Sequence, residues 1–296
     1  MADADRIGIS WREETISELL WVNAQLGTDP SPMKVADFAR HEENEIGADW
    51  LWWWVSEDSS ESFGLLVQAK RLGLTSGQSP TLGLHAKQSS QMKQLIDSAI
   101  KFEVPAAYAL YFGAVGRRGN LLCRSPEHGD QCSTCQKLTL AIFPASLTTQ
   151  IPSGSPTSAA REAYARSSPL EDFADPTSTC ASLLFGGDGE SFTPELRQFL
   201  HEDQNGPRQV ARKLLHLMID PELIELSTDV AARPTLPVDA IFRDIPEHRG
   251  HSFDPLSHVL GGLRSQPPSY VLDIMADQPP SHEQLGLIGG VVVMRC

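Results

Sequence analysis

Apolar side chains fill two short stretches of the chain that are separated by a polar turn. The first stretch runs from Trp50 to Trp54 and the second from Phe63 to Val67, and the residues between them are mainly Ser, Glu and Asp. Aromatic and β-branched residues favour strands, whereas Ser and Asp favour turns. The pattern therefore predicts a β-hairpin.

Polar side chains lie together at one end of this hairpin. Asp49 directly precedes the first strand, and Gln68 and Lys70 follow the second apolar stretch. If the turn is centred between Ser59 and Ser60, Asp49 and Lys70 lie opposite each other, with Cβ atoms about 5 Å apart. Because side chains alternate along a strand, Gln68 and Lys70 share one face, and Asp49 can share it too. A carboxylate, an amide and an ammonium group are costly to bury together, which indicates a functional site.

Helical and strand patterns continue on both sides of the hairpin. Residues 10–26 carry apolar positions at helical spacing with Ser10 as the N-cap, and residues 86–102 predict a second amphipathic helix. An apolar strand, AAYALYFGAV, follows that helix, and residues 138–145 predict another strand. A short polar segment lies between the first helix and the hairpin. Residues 10–115 thus predict the order helix, strand pair, helix, strand.

The composition changes after residue 145. Ser, Thr, Pro and Ala dominate residues 146–179, which is typical of a mobile connection with one short helix. Further along, residues 193–217 predict a helix and residues 285–294 predict a strand. We therefore expect three regions: an α/β core at 1–150, a flexible Ser/Pro-rich connection at 151–190, and a C-terminal α+β region of unknown role at 191–296.

Composition and charge narrow the classes of function. The 296 residues are 41% hydrophobic, which is enough for a substantial core. The net charge of -14 argues against a broad nucleic-acid-binding surface, although a local basic cleft remains compatible with it. No apolar run approaches the roughly 20 residues that span a bilayer. Five cysteines, together with an N-terminus that lacks signal-peptide features, predict a cytoplasmic protein.

The order of elements and two short motifs, GADW and QAKR, resemble the PD-(D/E)XK nuclease superfamily, and within it the Mrr-like restriction branch. The chain also resembles an uncharacterised bacterial family that shares GADW-W and QAKR. The resemblance covers roughly residues 10–145. It implies an α/β fold with a restriction-endonuclease-like αβββαβ core, in which helices flank a mixed central sheet.

The resemblance implies a role for each polar residue of the hairpin. Asp49 takes the place of the metal-binding aspartate, and Gln68 takes the second acidic position in its Gln variant. Lys70 matches the lysine that activates water or stabilises the pentavalent phosphate. Glu14, or as a second choice Glu13, matches the helix glutamate that completes the metal shell.

The implied cofactor is Mg²⁺, or Mn²⁺ in its place. Mg²⁺ prefers oxygen ligands and keeps several waters, so that one or two carboxylates, an amide oxygen and the Ala69 carbonyl suffice. Because Gln68 is neutral, the metal affinity is expected to be lower than with a carboxylate at that position. Glu43 or Glu45 can also supply the remaining acid, and the sequence does not choose between them and the helix glutamates.

A second group of metal-ligand residues follows the third predicted strand. Cys123, His128, Cys132 and Cys135 lie within one polar loop. Four such ligands can hold a structural Zn²⁺ and fix a loop that has no core of its own. The alternative is a set of reduced loop thiols with a histidine nearby.

The resemblance implies a metal-dependent phosphodiesterase, specifically a DNA endonuclease of bacterial defence, which can act as a homodimer. In this interpretation Asp49 and a helix glutamate hold the metal and Lys70 assists the attacking water. Arg117 and Arg118 are candidates for phosphate contacts. The alternative is a catalytically inactive restriction-like fold that binds nucleic acid or a protein partner.

Overall fold

The computed structural model describes residues 13–27, 32–38, 47–74, 79–84, 89–113, 118, 121, 132–151, 155–174, 199, 205–218, 259–280, 285 and 288–296. Its helices are α1 Glu13–Leu26, α2 Ser89–Phe102, α3 Ser133–Lys137, α4 Pro156–Arg166, α5 Leu170–Ala174, α6 Gly206–Met218 and α7 Ser269–Met275, with a 3-10 helix at Ala145–Gln150. Its strands are β1 Met33–Asp37, β2 Trp50–Val55, β3 Ser62–Arg71, β4 Gly73–Leu74, β5 Pro80–Thr81, β6 Ala106–Tyr111, β7 Leu140–Pro144, β8 Ser168–Pro169, β9 Leu263–Arg264 and β10 Gly290–Arg295. In this described part, no helix is both long and apolar enough to cross a bilayer.

A mixed sheet forms the centre of the molecule. Its strand order is β1-β10-β2-β3-β6-β7-β8, and β9 pairs with β3 outside this path. β10 runs parallel to β2 and β3 runs parallel to β6, whereas the other neighbours are antiparallel. The predicted α/β class with a mixed central sheet is therefore confirmed. Apart from the small β4–β5 pair, the elements from α1 to β6 follow the αβββαβ order that the resemblance implies, whereas the residue pattern predicted only two of the three strands before α2.

Both faces of the sheet are covered, and strand alternation divides the tryptophan run between them. Leu51 and Trp53 pack with α2 residues such as Leu95. Trp50, Trp52 and Trp54 pack on the opposite face, with Trp21 of α1 and apolar residues of α6. Every residue of β2 is buried. The tryptophans therefore belong to the core, as expected for a central strand.

The register of the hairpin differs from the prediction by two residues. Trp50 pairs with Val67, which places Asp49 opposite Gln68 and not opposite Lys70. The turn sets this register, because the Asp58 carboxylate accepts hydrogen bonds from the Ser56 hydroxyl at 2.8 Å and from the Ser60 N–H at 3.0 Å. A third hydrogen bond, from the Ser60 hydroxyl at 2.7 Å, contributes most to lowering the pKa of Asp58 to about 2, and the Ser60 N–H and the Ser56 hydroxyl lower it further. A shift of two residues preserves the face on which each side chain lies, so the predicted grouping survives.

The C-terminal part of the chain contributes to the same sheet as the N-terminal half. β10 lies between β1 and β2, and it pairs with β2 over six residues from Gly290 to Arg295. The expected division at residues 150 and 190 therefore does not separate two sheets. The short polar segment before the hairpin contains β1, which is an edge strand of the described sheet with mostly half-buried side chains. A strand that has only one neighbour needs less apolar character than a central one, and this explains why the sequence pattern did not show it.

Candidate functional site

The end of β3 extends beyond the start of β2. On one side, residues 68–71 pair with β6. On the other side, β2 begins only at Trp50, opposite Val67, so no described strand pairs with residues 68–71 there. Successive residues of a strand direct their backbone groups to alternate sides, and the N–H groups of Ala69 and Arg71 point to this open side. These two N–H groups can therefore bind side chains from other elements.

Two carboxylates from separate elements bind these N–H groups. Asp49 Oδ2 accepts a hydrogen bond from the Ala69 N–H at 2.7 Å. Glu13 Oε1, at the start of α1, accepts one from the Arg71 N–H at 2.7 Å. Hydrogen bonds to an ionised acceptor are stronger than neutral ones, so both acids are held firmly at the strand edge. The two carboxylates thus bind the residues that directly precede and follow Lys70 in β3.

Gly47 allows the segment that carries Asp49 to lie directly on α2. Its φ of 69° lies in the left-handed region, which glycine adopts without strain. A Cβ atom at this position would approach the Gln91 carbonyl oxygen and the Leu95 nitrogen to 2.9 Å. The glycine of the GADW motif is therefore required by both its backbone conformation and its contact with the helix.

Lys70 and Gln68 are buried on the face of β3 that α2 covers. Lys70 is 9% exposed, and its Nζ donates a hydrogen bond to Gln91 Oε1 at 3.0 Å. Gln68 is 3% exposed, and its Oε1 has no hydrogen-bond partner within the described structure. Most buried polar atoms have a partner, so an exception requires an explanation such as a bound water or ion. Gln68 Oε1 is therefore an acceptor that is available to a ligand or to water.

A hydrogen-bonded link fixes α1 to the sheet beside these residues. Ser17 Oγ lies 2.8 Å from the Tyr111 hydroxyl and donates to the Glu13 carbonyl at 3.1 Å. Tyr111 is buried, and burial is the main reason why its pKa is raised well above the usual range. The nearby negative charges of Asp49 and Glu13 raise the pKa further. Tyr111 therefore stays a neutral phenol and is close to both acids.

The oxygen atoms at this strand end suit a hard cation such as Mg²⁺. They comprise the two carboxylates, the unpartnered Gln68 Oε1 and the Ala69 carbonyl, which points to the same side as the Ala69 N–H. Mg²⁺ commonly binds through one or two carboxylates and retains several waters. Within the described residues, no group of three or more His, Cys, Asp or Glu side chains could hold a metal. A cation here would therefore depend on neutral oxygens and water as well as on acids.

The structure brings together Asp49, Gln68 and Lys70, as the sequence predicted. The helix acid that reaches β3 is Glu13, which was the second choice, whereas the side chain of Glu14 lies outside the described structure, as do Glu43 and Glu45.

A signal in the sequence points to Glu13. Glu13 precedes the buried residues Ile16 and Ser17 by three and four positions, so all three lie on the helix face that packs on the sheet. The apolar periodicity of α1 therefore favours Glu13 over Glu14, which lies about 100° around the helix.

The predicted zinc ligands are only partly described. Cys123 and His128 lie outside the described residues. Cys132 and Cys135 are buried thiols that pack in the core around α3. Zinc binding by the four residues therefore stays a prediction.

Arg118 is not a phosphate contact. It is 1% exposed, and its guanidinium donates to the carbonyls of Gly113 and Cys135, to the Tyr164 hydroxyl and to Thr139 Oγ1. The group has five donors, and these contacts, with a second bond to Gly113, use all of them. The prediction was wrong because the sequence does not show that the Arg118 side chain is buried. Arg117 lies outside the described residues.

No curated protein and no solved structure matches the chain. A family model described as "Family of unknown function (DUF6615)" matches residues 1–295, which is nearly the whole chain. The chain therefore belongs to the DUF6615 family.

Proposed function

We propose that this protein is a metal-dependent phosphodiester hydrolase that acts on DNA. The observation that carries the proposal is the convergence of Glu13 and Asp49 on neighbouring edge N–H groups of β3, next to the buried and unpartnered oxygen of Gln68. Two acids and an amide oxygen fit a Mg²⁺ or Mn²⁺ ion, and Lys70 adds a cation beside them.

Each residue has a defined part in this reaction. Asp49, Glu13 and Gln68 would hold the metal ion, which supplies positive charge to the phosphate oxygens and lowers the pKa of bound water. Lys70 offers an ammonium group where negative charge develops on the phosphate. Water forms a bond to phosphorus and releases a proton to the solvent, the bond to the leaving oxygen breaks, and that oxygen takes up a proton from the solvent. Gln91 keeps the Lys70 ammonium in position through its 3.0 Å hydrogen bond.

The setting proposed for the enzyme is the cytoplasm. Cys132, Cys135 and Cys296 are thiols, and such residues remain reduced there.

A cleavage assay with matched variants tests the proposal. Labelled duplex DNA, single-stranded DNA and RNA are incubated with Mg²⁺ or Mn²⁺ and with wild type, Asp49→Asn or Lys70→Ala. We expect metal-dependent cutting of DNA that falls about 100-fold or more in both variants, because each removes charge at the reacting phosphate. Asp97→Asn and Lys93→Ala are the controls, since both residues are exposed on α2, and they should cut like wild type.

Two results would reject the proposal. One is the absence of cutting with all three substrates and both metals. The other is cutting that Asp49→Asn and Lys70→Ala leave unchanged, which would indicate a contaminating nuclease. If only RNA is cut, the proposed hydrolase activity stands and its substrate is RNA.

A second candidate function is a catalytically inactive module that binds nucleic acid or a protein. The observation that favours it is that Asp49, Glu13 and Lys70 each already have a hydrogen-bond partner within the protein. A site of this kind can be purely structural. Titration of Mg²⁺ by calorimetry separates the two candidates. Only the hydrolase should bind Mg²⁺ with a measurable heat, and Asp49→Asn should abolish that binding.

A further inference from the structure

The guanidinium group of Arg71 makes no hydrogen bond and no ion pair within the described structure. Its backbone N–H donates a hydrogen bond to Glu13 Oε1, and its backbone pairs with Tyr111 of β6. By contrast, other buried or half-buried arginines have acidic or carbonyl partners, as in the pairs Arg166–Glu162, Arg208–Glu61 and Arg264–Glu103 and in the contacts of Arg118. Acidic residues outnumber basic ones by 38 to 24, so an unpaired arginine beside two acids requires an explanation.

Arg71 lies at the site and on the face opposite to Lys70. The two residues are neighbours on β3, so that their side chains point to opposite faces of the sheet. Lys70 faces α2, where Gln91 binds it. Arg71 lies on the α1 face, next to Tyr111 in the register of β3 and β6. Within the described structure, the Lys70 ammonium thus has a hydrogen-bond partner, whereas the Arg71 guanidinium has none.

An arginine with all five donors available matches the geometry of a phosphate group. The planar guanidinium binds two phosphate oxygens at once, which a lysine ammonium cannot do. Asp49 and Glu13 accept hydrogen bonds from the Ala69 and Arg71 N–H groups, and the Arg71 guanidinium pairs with neither carboxylate in the described structure. We propose that Arg71 binds a backbone phosphate of the nucleic acid that occupies this site. The inference rests on the proposed function, since it names a substrate contact of the same site.

The dependence of binding on salt concentration tests this proposal without cleavage. Binding of a labelled 20-base-pair DNA duplex is followed by fluorescence anisotropy in EDTA between 50 and 200 mM salt, and a single strand is measured in parallel. One lost phosphate contact reduces the slope of log K against log salt by about 0.9 for the duplex and about 0.7 for the single strand. We expect this change for Arg71→Ala, with an affinity roughly tenfold lower at 50 mM salt.

Two further variants make the result specific to Arg71. Arg161→Ala is the matched control, because Arg161 is exposed on α4 and has no described partner, and its slope should equal that of wild type. Arg71→Lys keeps the charge, so it should keep the slope while losing part of the affinity. Should Arg71→Ala lose its thermal unfolding transition, Arg71→Gln takes its place in the same measurement.

The outcomes separate this inference from the proposed hydrolase. An Arg71-dependent slope in a protein that cuts no substrate with Mg²⁺ or Mn²⁺ supports the inference and rejects the hydrolase. Metal-dependent cutting with an unchanged slope in Arg71→Ala rejects the inference and leaves the hydrolase. Equal losses in Arg71→Ala and Arg161→Ala, or no binding of nucleic acid by wild type, also overturn the inference.

Discussion

The side-chain oxygen of Gln68 is costly to bury without a partner. A buried polar atom that loses its bonds to water destabilises a protein by about 1–3 kcal/mol. Gln68 is 3% exposed and its Oε1 has no described partner, whereas Gln91 nearby accepts a hydrogen bond from Lys70. Two glutamines at one site thus differ in whether the protein satisfies them. The difference predicts opposite effects of the same substitution.

Replacement of Gln68 by Met should stabilise the protein in EDTA by about 1 kcal/mol, because Met fills a similar volume without an unpaired oxygen. Under the proposed function, the same variant should lose part of the stabilisation that Mg²⁺ gives to wild type, because a ligand oxygen is gone. Urea unfolding monitored by tryptophan fluorescence, with and without Mg²⁺, measures both effects.

Gln91→Met is the matched comparison for this prediction. It removes the partner of a buried lysine, so it should lower the free energy of unfolding in EDTA. If Gln68→Met is destabilising to the same extent as Gln91→Met, the Gln68 oxygen has a partner in solution and its assignment as a ligand fails.

At the residue scale, the sequence predicted which polar residues lie together at the strand end but not how they are aligned. Asp49, Gln68 and Lys70 could be grouped because strand alternation depends only on position along the chain. The register depends on the turn, in which the Asp58 carboxylate organises the loop through Ser56 and Ser60. Composition predicts a turn there but does not predict which residue lies at its centre.

Among the elements, α1 has the most direct influence on the site, because it carries Glu13. Its contact with the sheet is partly apolar, through Ile16 and Trp21, and partly polar, through the Ser17–Tyr111 hydrogen bond. A hydrogen bond is more directional than apolar packing. The Ser17–Tyr111 pair therefore contributes, together with the apolar contacts, to the position at which Glu13 meets β3.

A double-mutant cycle of Ser17→Ala and Tyr111→Phe should give a coupling energy of about 0.5–1.5 kcal/mol, because each variant alone removes the same hydrogen bond. Urea unfolding of the four proteins measures it. Ser17→Ala combined with Tyr108→Phe is the control, because Tyr108 lies on β6 in the core cluster on the opposite face, and this pair should be additive. A coupling near zero for Ser17 and Tyr111 would mean that the bond does not fix α1.

Prediction of the elements succeeded where periodicity was strong. The two long helices of the N-terminal half were predicted from apolar spacing, and α1 and α2 lie within the predicted limits. β1 was missed, because the sequence MKVAD combines charged and apolar residues, as edge strands do. Pairing between distant strands carries no local signal, so β10 was predicted as a strand without its place in the sheet.

At the scale of the whole molecule, the C-terminal strand β10 holds β2 in place next to the site. β10 separates β1 from β2, and Gly290 pairs with Trp50, the residue after Asp49. A Cβ atom on Gly290 would meet the Trp50 ring at 2.5 Å and the Ala36 carbonyl oxygen at 2.7 Å. The region that sequence alone left without a role thus fixes β2, the strand that directly follows Asp49.

The last prediction follows from this placement. A fragment of residues 1–150 has no β10, so β1 loses its described partner strand and one edge of β2 is exposed. We expect this fragment to show neither a cooperative urea transition nor near-ultraviolet circular dichroism from its tryptophans, while the full chain shows both. In the full chain, Val292→Asp should cost several kcal/mol, since Val292 is completely buried, and the exposed Arg295→Asp should change stability by less than about 0.5 kcal/mol. Cooperative unfolding of the fragment would show instead that the N-terminal half folds without β10, and that the site needs no support from the C-terminal strand.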